Sequence, residues 1–300
     1  VALQPGARRL LTRAGVLELM RVLVVTAVTA ERDAVVRGAS PAGDLQEVPV
    51  PGGLLHRVHH PAGPVFDVLA AGVGPGAAGA GAAAALAAAE LRSHPYDLVF
   101  SAGIGGGFQP AAPVGSLVVS AAVVAADLGA ETPDGFRSTA ELGFGAVAHQ
   151  APEHLVRAVA EATGAAPGTV LTVSTATGSA ERAAELAARH PGALAEAMEG
   201  FGVAEAAAAH GVPVLELRAV SNPVGPRDRA AWRIGEALAV LGRAFDRPAA
   251  GLADLPDPAD AADTADAADA ADAMDAMADR LEADPADPAA RPETEEERIP

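Results

Sequence analysis

Between residues 20 and 248 the chain alternates short runs of β-branched and large apolar residues with longer, alanine-rich segments. A continuous apolar run of about four to eight residues bounded by turn residues reads as a strand buried on both faces, and a longer segment with helical spacing reads as a helix laid over it. The pattern predicts strands at 21–28, 66–74, 97–106, 115–126, 168–175 and 212–222. It predicts helices over AERDAVVRG, GAAGAGAAAALAAAELRS, PEHLVRAVAEAT, SAERAAELAARH, GALAEAMEGFGVAEAAAAHG and RAAWRIGEALAVLGRAF. Such alternation is the mark of an α/β sheet protein. Residues 38–64 are rich in Pro and Gly and read as a loop or hairpin. Nearly every predicted strand runs into Gly, Ser, Thr or Asn at its carboxyl end. Open α/β sheets bind ligands at that end, so the chemistry is expected there.

The pattern fails at both ends of the chain. Residues 251–300 hold 16 acids and 3 arginines, which is about −13 of the formal −18 of the whole chain. A segment of Ala, Asp, Pro and Glu with dense like charge buries too little apolar surface to offset its ordering entropy. Residues 249–300 are therefore expected to be a disordered acidic tail. Arginines at 8, 9 and 13 followed by VLVVTAV imitate a secretory signal, but the apolar stretch is short and Glu18 and Arg21 stand directly before it. We read a buried first strand starting near Met20, an unstructured extension over 1–19, one domain over 20–248 and a cytoplasmic location. The stretch LAAGVGPGAAGAGAAAALAAA is mostly Gly and Ala with Pro75 inside it, too weakly apolar for a membrane span. No basic patch interleaved with aromatics points to nucleic acid, and the absence of cysteine excludes disulfides and thiolate chemistry.

Several segments carry candidate chemistry, each with a plainer reading beside it. The string GPGAAG at Gly74–Gly79 matches a dinucleotide fingerprint, and a nicotinamide-dependent oxidoreductase is the alternative it supports. The acid that should end the next strand and hold a ribose is missing, and close helix packing explains the glycines as well. His56, His59 and His60 could converge on a metal, yet no carboxylate stands at helical spacing and we read solvated histidines, with no metal and no cofactor. Glu31 follows the first strand at a helix start, where a helix dipole favours a carboxylate. Met198 and Glu199 open an Ala-rich helix with Glu196 and Glu205 nearby, which could be a polar helix face. Ser221 and Asn222 end a buried-looking strand, and Trp232 follows a loop containing Pro and Arg, which could be a capped turn with one core tryptophan.

Taken together, the first strand followed by Glu, SAGIGGG, MEGFGVA and RAVSN resemble the nucleosidase branch of the nucleoside phosphorylase/hydrolase superfamily. Within it, VTAVTAERDAV, the DLG of VVAADLGAET and SNPVGPRDRAAW are similar to the futalosine hydrolase family. The resemblance covers about residues 20–245. It implies a single α/β domain with a central mixed sheet flanked by helices. It also implies hydrolysis of futalosine, an intermediate of menaquinone biosynthesis, to hypoxanthine and dehypoxanthine futalosine. Glu31 then matches the carboxylate that activates water, and Asn222 the residue that reads the base. Met198 and Glu199 match the pair at the ribose, and Trp232 an aromatic near the 5′ substituent, with Arg227 or Arg229 near the substrate's aryl carboxylate. Ser174, Thr175, Ala176 and Thr177 match the segment along the purine, Gly103–Gly107 including Gly105 a glycine loop beside base and sugar, and Gly74 and Ser221 adjoin these positions. The family implies a homodimer or larger homo-oligomer. Another purine nucleoside, such as methylthioadenosine, adenosylhomocysteine or aminodeoxyfutalosine, is the alternative substrate. Phosphorolysis is disfavoured because Arg32 is the one basic residue near the first strand exit and GVGPGAAGAGA after the second has none. A catalytically dead binding protein is disfavoured by the presence of both Glu31 and Glu199.

Overall fold

The computed structural model describes residues 10–11, 17–18, 20–40, 44–61 and 63–246; the acidic segment 249–300, expected to be disordered, lies outside them. Within 1–19, Leu10–Leu11 pairs antiparallel with Leu17–Glu18.

In chain order the main elements are β1 (Arg21–Thr26), α1 (Thr29–Ala39), β2 (Leu45–Val50), β3 (Gly53–His59), β4 (Val65–Ala70) and α2 (Pro75–Leu91). They continue with β5 (Leu98–Gly107), β6 (Leu117–Ala125), β7 (Ala148–Gln150), α3 (Glu153–Thr163), β8 (Ala166–Thr172) and α4 (Ala180–Arg189). The last are β9 (Ala193–Ala197), α5 (Gly200–Ala209), β10 (Val214–Pro223) and α6 (Ile234–Asp246). All ten strands form one mixed sheet. β1 lies between β4 and β5 in parallel, as expected for consecutive β-α-β units. The 38–64 region resolves as a hairpin, β2 and β3, that extends the sheet antiparallel beyond β4.

On the other side the sheet curls. β6 pairs with β8, β8 with β9, β9 with β5, β5 with β10, and β10 returns to β6, so five strands close a ring. Long strands β5 and β10, each ten residues, run parallel through nine paired positions and carry their carboxyl ends to the same rim. Two apolar layers hold the sheet. One packs α1, α3 and α6 on it through Val35, Leu155, Val159, Leu241 and Phe245. The other packs α2 and α5 through Ala82, Leu86, Phe201 and Val203.

The structure corrects the pattern at several places. Residues 192–211, expected as one helix, divide into β9 and α5. Alanine favours helix by a few tenths of a kcal/mol per residue, but Ala193, Ala195 and Ala197 are buried between β8 and β5, and strand pairing outweighs that preference. The expected strand 66–74 stops at Ala70, and the helix expected from Arg229 starts only at Ile234; Trp232 instead ends a 3-10 turn, Arg229–Ala231, before α6. A small hairpin, Gly129–Thr132 with Gly135–Ser138, was not expected. Of the GPGAAG glycines, Gly79 serves close helix packing: a Cβ on it would stand 2.8 Å from the carbonyl oxygen of Gly202 in α5. Among the described residues no helix is long and apolar enough to cross a membrane, and no cluster of three metal-ligating side chains occurs. His56 and His59 lie on β3, where His56 faces Glu47 at 3.8 Å.

Candidate active site

The carboxyl ends of β1, β5, β9 and β10 surround a cavity of about 380 Å³. Its walls come from the turn into α1 (Ala27, Val28, Glu31), the end of β5 (Ile104, Gly105, Gly106) and the loop after β8 (Ala176, Thr177). The passage from β9 into α5 (Glu196 to Glu199), the end of β10 with its following loop (Ser221 to Arg227), Val73 before α2 and Trp232 complete them.

Glu31 is buried, and its carboxylate folds back over the start of α1. Oε2 accepts from the backbone N–H of Ala27 at 3.0 Å and of Val28 at 3.3 Å. Oε1 accepts from the N–H of Ile104 at 2.9 Å, which ties α1 to the end of β5. Burial pushes its pKa above the ordinary glutamate value, against the pull of the Arg218 guanidinium and of these N–H donors. Gly103 lies behind it: a Cβ there would stand 2.5 Å from Glu31 Oε1 and 2.6 Å from Arg218 Nη1. That position therefore shapes the site without lining the cavity.

Glu199 ends the β9 exit and directly precedes α5. Its Oε1 accepts from the N–H of Gly74 at 3.2 Å, and its Oε2 lies 3.2 Å from Nη2 of Arg218. Gly74 thus reaches the site through its backbone alone. Arg218, on β10 and fully buried, also donates from Nε to Glu216 Oε1 at 2.7 Å and from Nη2 to Ser101 Oγ at 3.0 Å. The sequence reading missed both Arg218 and Glu216. Their signal is the alternation LELRAV, two charged residues on one face of an otherwise apolar strand. An arginine buried mid-strand demands carboxylate partners.

Glu196, considered above as a polar helix face, is instead buried on β9. It accepts from the N–H of Thr177 at 2.8 Å and from Thr177 Oγ1 at 2.5 Å, which pins the loop after β8 against the cavity. Burial raises its pKa against those two hydrogen bonds. Thr175 is exposed and does not line the cavity; Ala176 and Thr177 do. Ser221 Oγ lies 3.2 Å from the carbonyl of Gly105 and 2.8 Å from Asn222 Oδ1. Asn222 Nδ2 donates to the carbonyl of Pro223 at 2.9 Å, so one of its two N–H groups is committed and one is left for a ligand. Met198 packs at the cavity's inner side against the Phe108 and Leu171 cluster. Trp232 lies under the guanidinium of Arg227, 5.5 Å from the ring centroid. Arg229 sits exposed in the 3-10 turn and not on the cavity. Arg32 is bound to Asp33 at 2.8 Å.

A second cavity, of about 440 Å³, lies near the amino end of β1, with Arg21, Arg57 and Tyr96 on its wall. All three bind the buried Asp67, at 2.6 to 2.8 Å. These polar groups satisfy one another, whereas the carboxylates of the first cavity share a chamber with an unengaged amide donor.

The Phosphorylase superfamily profile matches residues 21–255. Futalosine hydrolase of Streptomyces coelicolor is 69% identical over 230 residues, covering 77% of this chain and 95% of that protein. Futalosine hydrolase of Acidothermus cellulolyticus is 48% identical over 228 residues, covering 74% and 88%. Among solved structures, a futalosine hydrolase mutant of Helicobacter pylori superposes with a TM-score of 0.66 at 17% identity, over 79% of this chain and all of that one. A 5′-methylthioadenosine/S-adenosylhomocysteine nucleosidase of Colwellia psychrerythraea in complex with adenine gives 0.60 at 21% identity, over 79% and 95%. At these identities the two structures speak for the fold.

Proposed function

The chain belongs to the phosphorylase superfamily and, within it, to the futalosine hydrolases, and from that premise we propose that it hydrolyses the N-glycosidic bond of futalosine to release hypoxanthine. The observation that carries the mechanism is the pair of buried carboxylates, Glu31 and Glu199, on one cavity with Arg218 beside them.

Cleaving C1′–N9 passes through a sugar with oxocarbenium character, which needs an activated water, anions near the sugar and support for the departing base. Glu31 takes a proton from water as the water oxygen bonds to C1′, and the electron pair of the broken C1′–N9 bond leaves with the purine. The purine takes up a proton from solvent while Glu31 gives its own back to solvent. Glu199 accepts hydrogen bonds from the ribose hydroxyls and places a negative charge beside the cationic sugar. No covalent intermediate is required, which distinguishes this division of labour from retaining glycosidases. Met198 packs beneath the sugar. The free N–H of Asn222 donates to the N7 edge of the 6-oxopurine, where negative charge develops. Trp232 and Arg227 receive the aryl carboxylate at the 5′ end by stacking and charge.

Water rather than phosphate is the nucleophile. A phosphate dianion beside C1′ needs uncommitted cations there, while Arg32 is spent on Asp33, Arg218 on Glu199 and Glu216, and Arg227 stacks on Trp232 for the 5′ end. Residues 20–248 form the catalytic domain, and the working unit is a homodimer or larger, which light scattering tests. The decisive experiment is incubation with futalosine, with and without phosphate, and chromatography of the products. Hypoxanthine release at equal rates in both is expected; release that depends on phosphate, or none, refutes the reading.

A further inference from the structure

Around the site, three buried carboxylates surround one buried guanidinium. Glu31 comes from α1, Glu199 from the start of α5 and Glu216 from β10, where it shares a strand face with Arg218. Serines complete the surroundings: Ser101 Oγ of β5 accepts from Arg218, and Ser120 Oγ of β6 accepts from the backbone N–H of Glu216. If every carboxyl group were ionised, the cluster would carry two uncompensated negative charges in a medium of low dielectric, which is costly. One proton inside it removes half of that excess.

Glu216 is the member placed to hold the proton. Its side chain is wholly buried and does not line the cavity. Oε1 accepts from Arg218 Nε, and Oε2 has no hydrogen-bond partner among the described residues. An unpaired buried oxygen costs far less on a neutral acid than on an anion. The seat is made by Gly200, the residue after Glu199: a Cβ there would fall 1.9 Å from Oε2 and 2.4 Å from Cδ of Glu216. The chain therefore keeps a space, without a polar partner, for the far end of this carboxyl group. Burial raises the Glu216 pKa, with Arg218 opposing it.

We propose that Glu216 is a positioning residue that works as the neutral acid, orienting the Arg218 guanidinium through Nε while leaving its positive charge to Glu199 and Glu31. An ionised Glu216 would neutralise Arg218 and weaken the pull by which its guanidinium lowers the Glu31 pKa. The neutral acid fixes the guanidinium's edge and takes none of its charge. This inference rests on the reading of Glu31 and Glu199 as the working pair.

Two measurements test it. Infrared difference spectra between wild type and Glu216→Gln at neutral pH should show, in the wild type alone, the carbonyl stretch of a protonated carboxylic acid; its absence overturns the proposal. In kinetics, Glu216→Gln, which keeps the acceptor on Nε and the neutral charge, should hold kcat within about threefold with the pH profile unmoved. Glu216→Leu, which loses the acceptor, and Gly200→Ala, which displaces the carboxyl group, should each lower kcat at least about tenfold, as misplacement of catalytic groups does. Both should also move the acidic limb of kcat/KM upward, because Glu31 loses an aimed cation. Gly200→Ala keeps the test open if the leucine variant does not fold. A glutamine variant as impaired as the leucine one, or a leucine or alanine variant with wild-type kinetics, overturns the proposal. Wild-type protein that shows the infrared band but spares futalosine refutes the substrate reading and leaves the proton on Glu216 standing.

Discussion

Replacing Glu31 by Gln separates the chemical role of the carboxylate from its structural one. The carboxylate accepts three backbone N–H bonds, two at Oε2 and one at Oε1, and an amide has a single acceptor oxygen. With that oxygen turned toward Ala27 and Val28, the amide nitrogen faces the N–H of Ile104. One charge-assisted bond is then lost, at about 1.5–3 kcal/mol. Acting against that loss, burial holds the Glu31 pKa up. The ionised side chain is thus under desolvation strain near neutral pH, and a neutral amide relieves it. With about 2–4 °C per kcal/mol for a domain of this size, the melting temperature should fall by less than about 10 °C. Turnover should fall much further. The amide cannot take a proton from water, and general-base contributions run from about 10² to 10⁴, so kcat should drop at least about 100-fold, equivalent to about 2.7 kcal/mol of barrier. Hypoxanthine release followed by chromatography, beside a thermal melt, reads both quantities. A folded variant that turns over like the wild type removes Glu31 from the mechanism, and a variant that does not fold shows that the N–H cradle matters more than the charge strain.

The same raised pKa sets a pH dependence. Glu31 must be ionised to act, so kcat/KM should be lost as pH falls through a value above the ordinary 4.5 of glutamate, and a profile still flat at that value refutes the assignment. Gly103→Ala pushes both Glu31 Oε1 and Arg218 Nη1 aside and should cost about 10²-fold in kcat, as displacements near 1 Å do; unchanged kinetics would show that the two groups can shift freely. Asn222→Asp sets an acceptor against the acceptors of hypoxanthine, so the preference of the wild type for the 6-oxopurine nucleoside over its 6-amino analogue, expected at about 100-fold or more, should narrow or reverse. An unaltered ratio would mean that another residue reads the base. Arg227→Ala should raise KM about tenfold for futalosine, on the scale of one partly exposed charged hydrogen bond, and leave inosine, which lacks the aryl carboxylate, unaffected; equal changes for both would place the arginine elsewhere.

Strand-and-helix alternation was legible because the sheet's buried strands are continuous apolar runs, as β1 and β5 show with every residue from Val22 to Val25 and from Leu98 to Ala102 buried. Where local preference and tertiary pairing disagree, the reading failed. β9 is ALAEA, a helix by propensity, and it becomes a strand because β8 offers a parallel edge and Gly106–Gly107 of β5 an antiparallel one. Glu31, Ser221 and Asn222 were singled out at strand exits, Met198 and Glu199 at an expected helix start, and the family resemblance supplied their roles; the ends of β1, β9 and β10 bring all five to one cavity. Of the segment expected along the purine, Thr175 is exposed and off the cavity, whereas Ala176 and Thr177, the latter held by Glu196, line it. The closing of five strands into a ring left no trace in the hydrophobic pattern, because it depends on β10 pairing with both β5 and β6.

The residues hidden from the pattern were the charged ones inside it. Hydrophobic periodicity counts Glu216 and Arg218 as interruptions of an apolar strand, yet their spacing of two puts them on one face, and that face is buried. Leaving a guanidinium unpaired there would cost several kcal/mol. The strand is therefore stable only if other elements deliver carboxylates to it, and the candidates are few: an acid at a strand exit or a helix start, beside a glycine that leaves room. Glu31 has Gly103 for this, and Glu216 has Gly200 next to Glu199. The two glycines and three glutamates come from α1, β5, the start of α5 and β10, so a single arginine in VLELRAV constrains four separate segments. Charge balance in the core thus links positions that periodicity treats as independent, and it links them at the end of the sheet where the chemistry takes place.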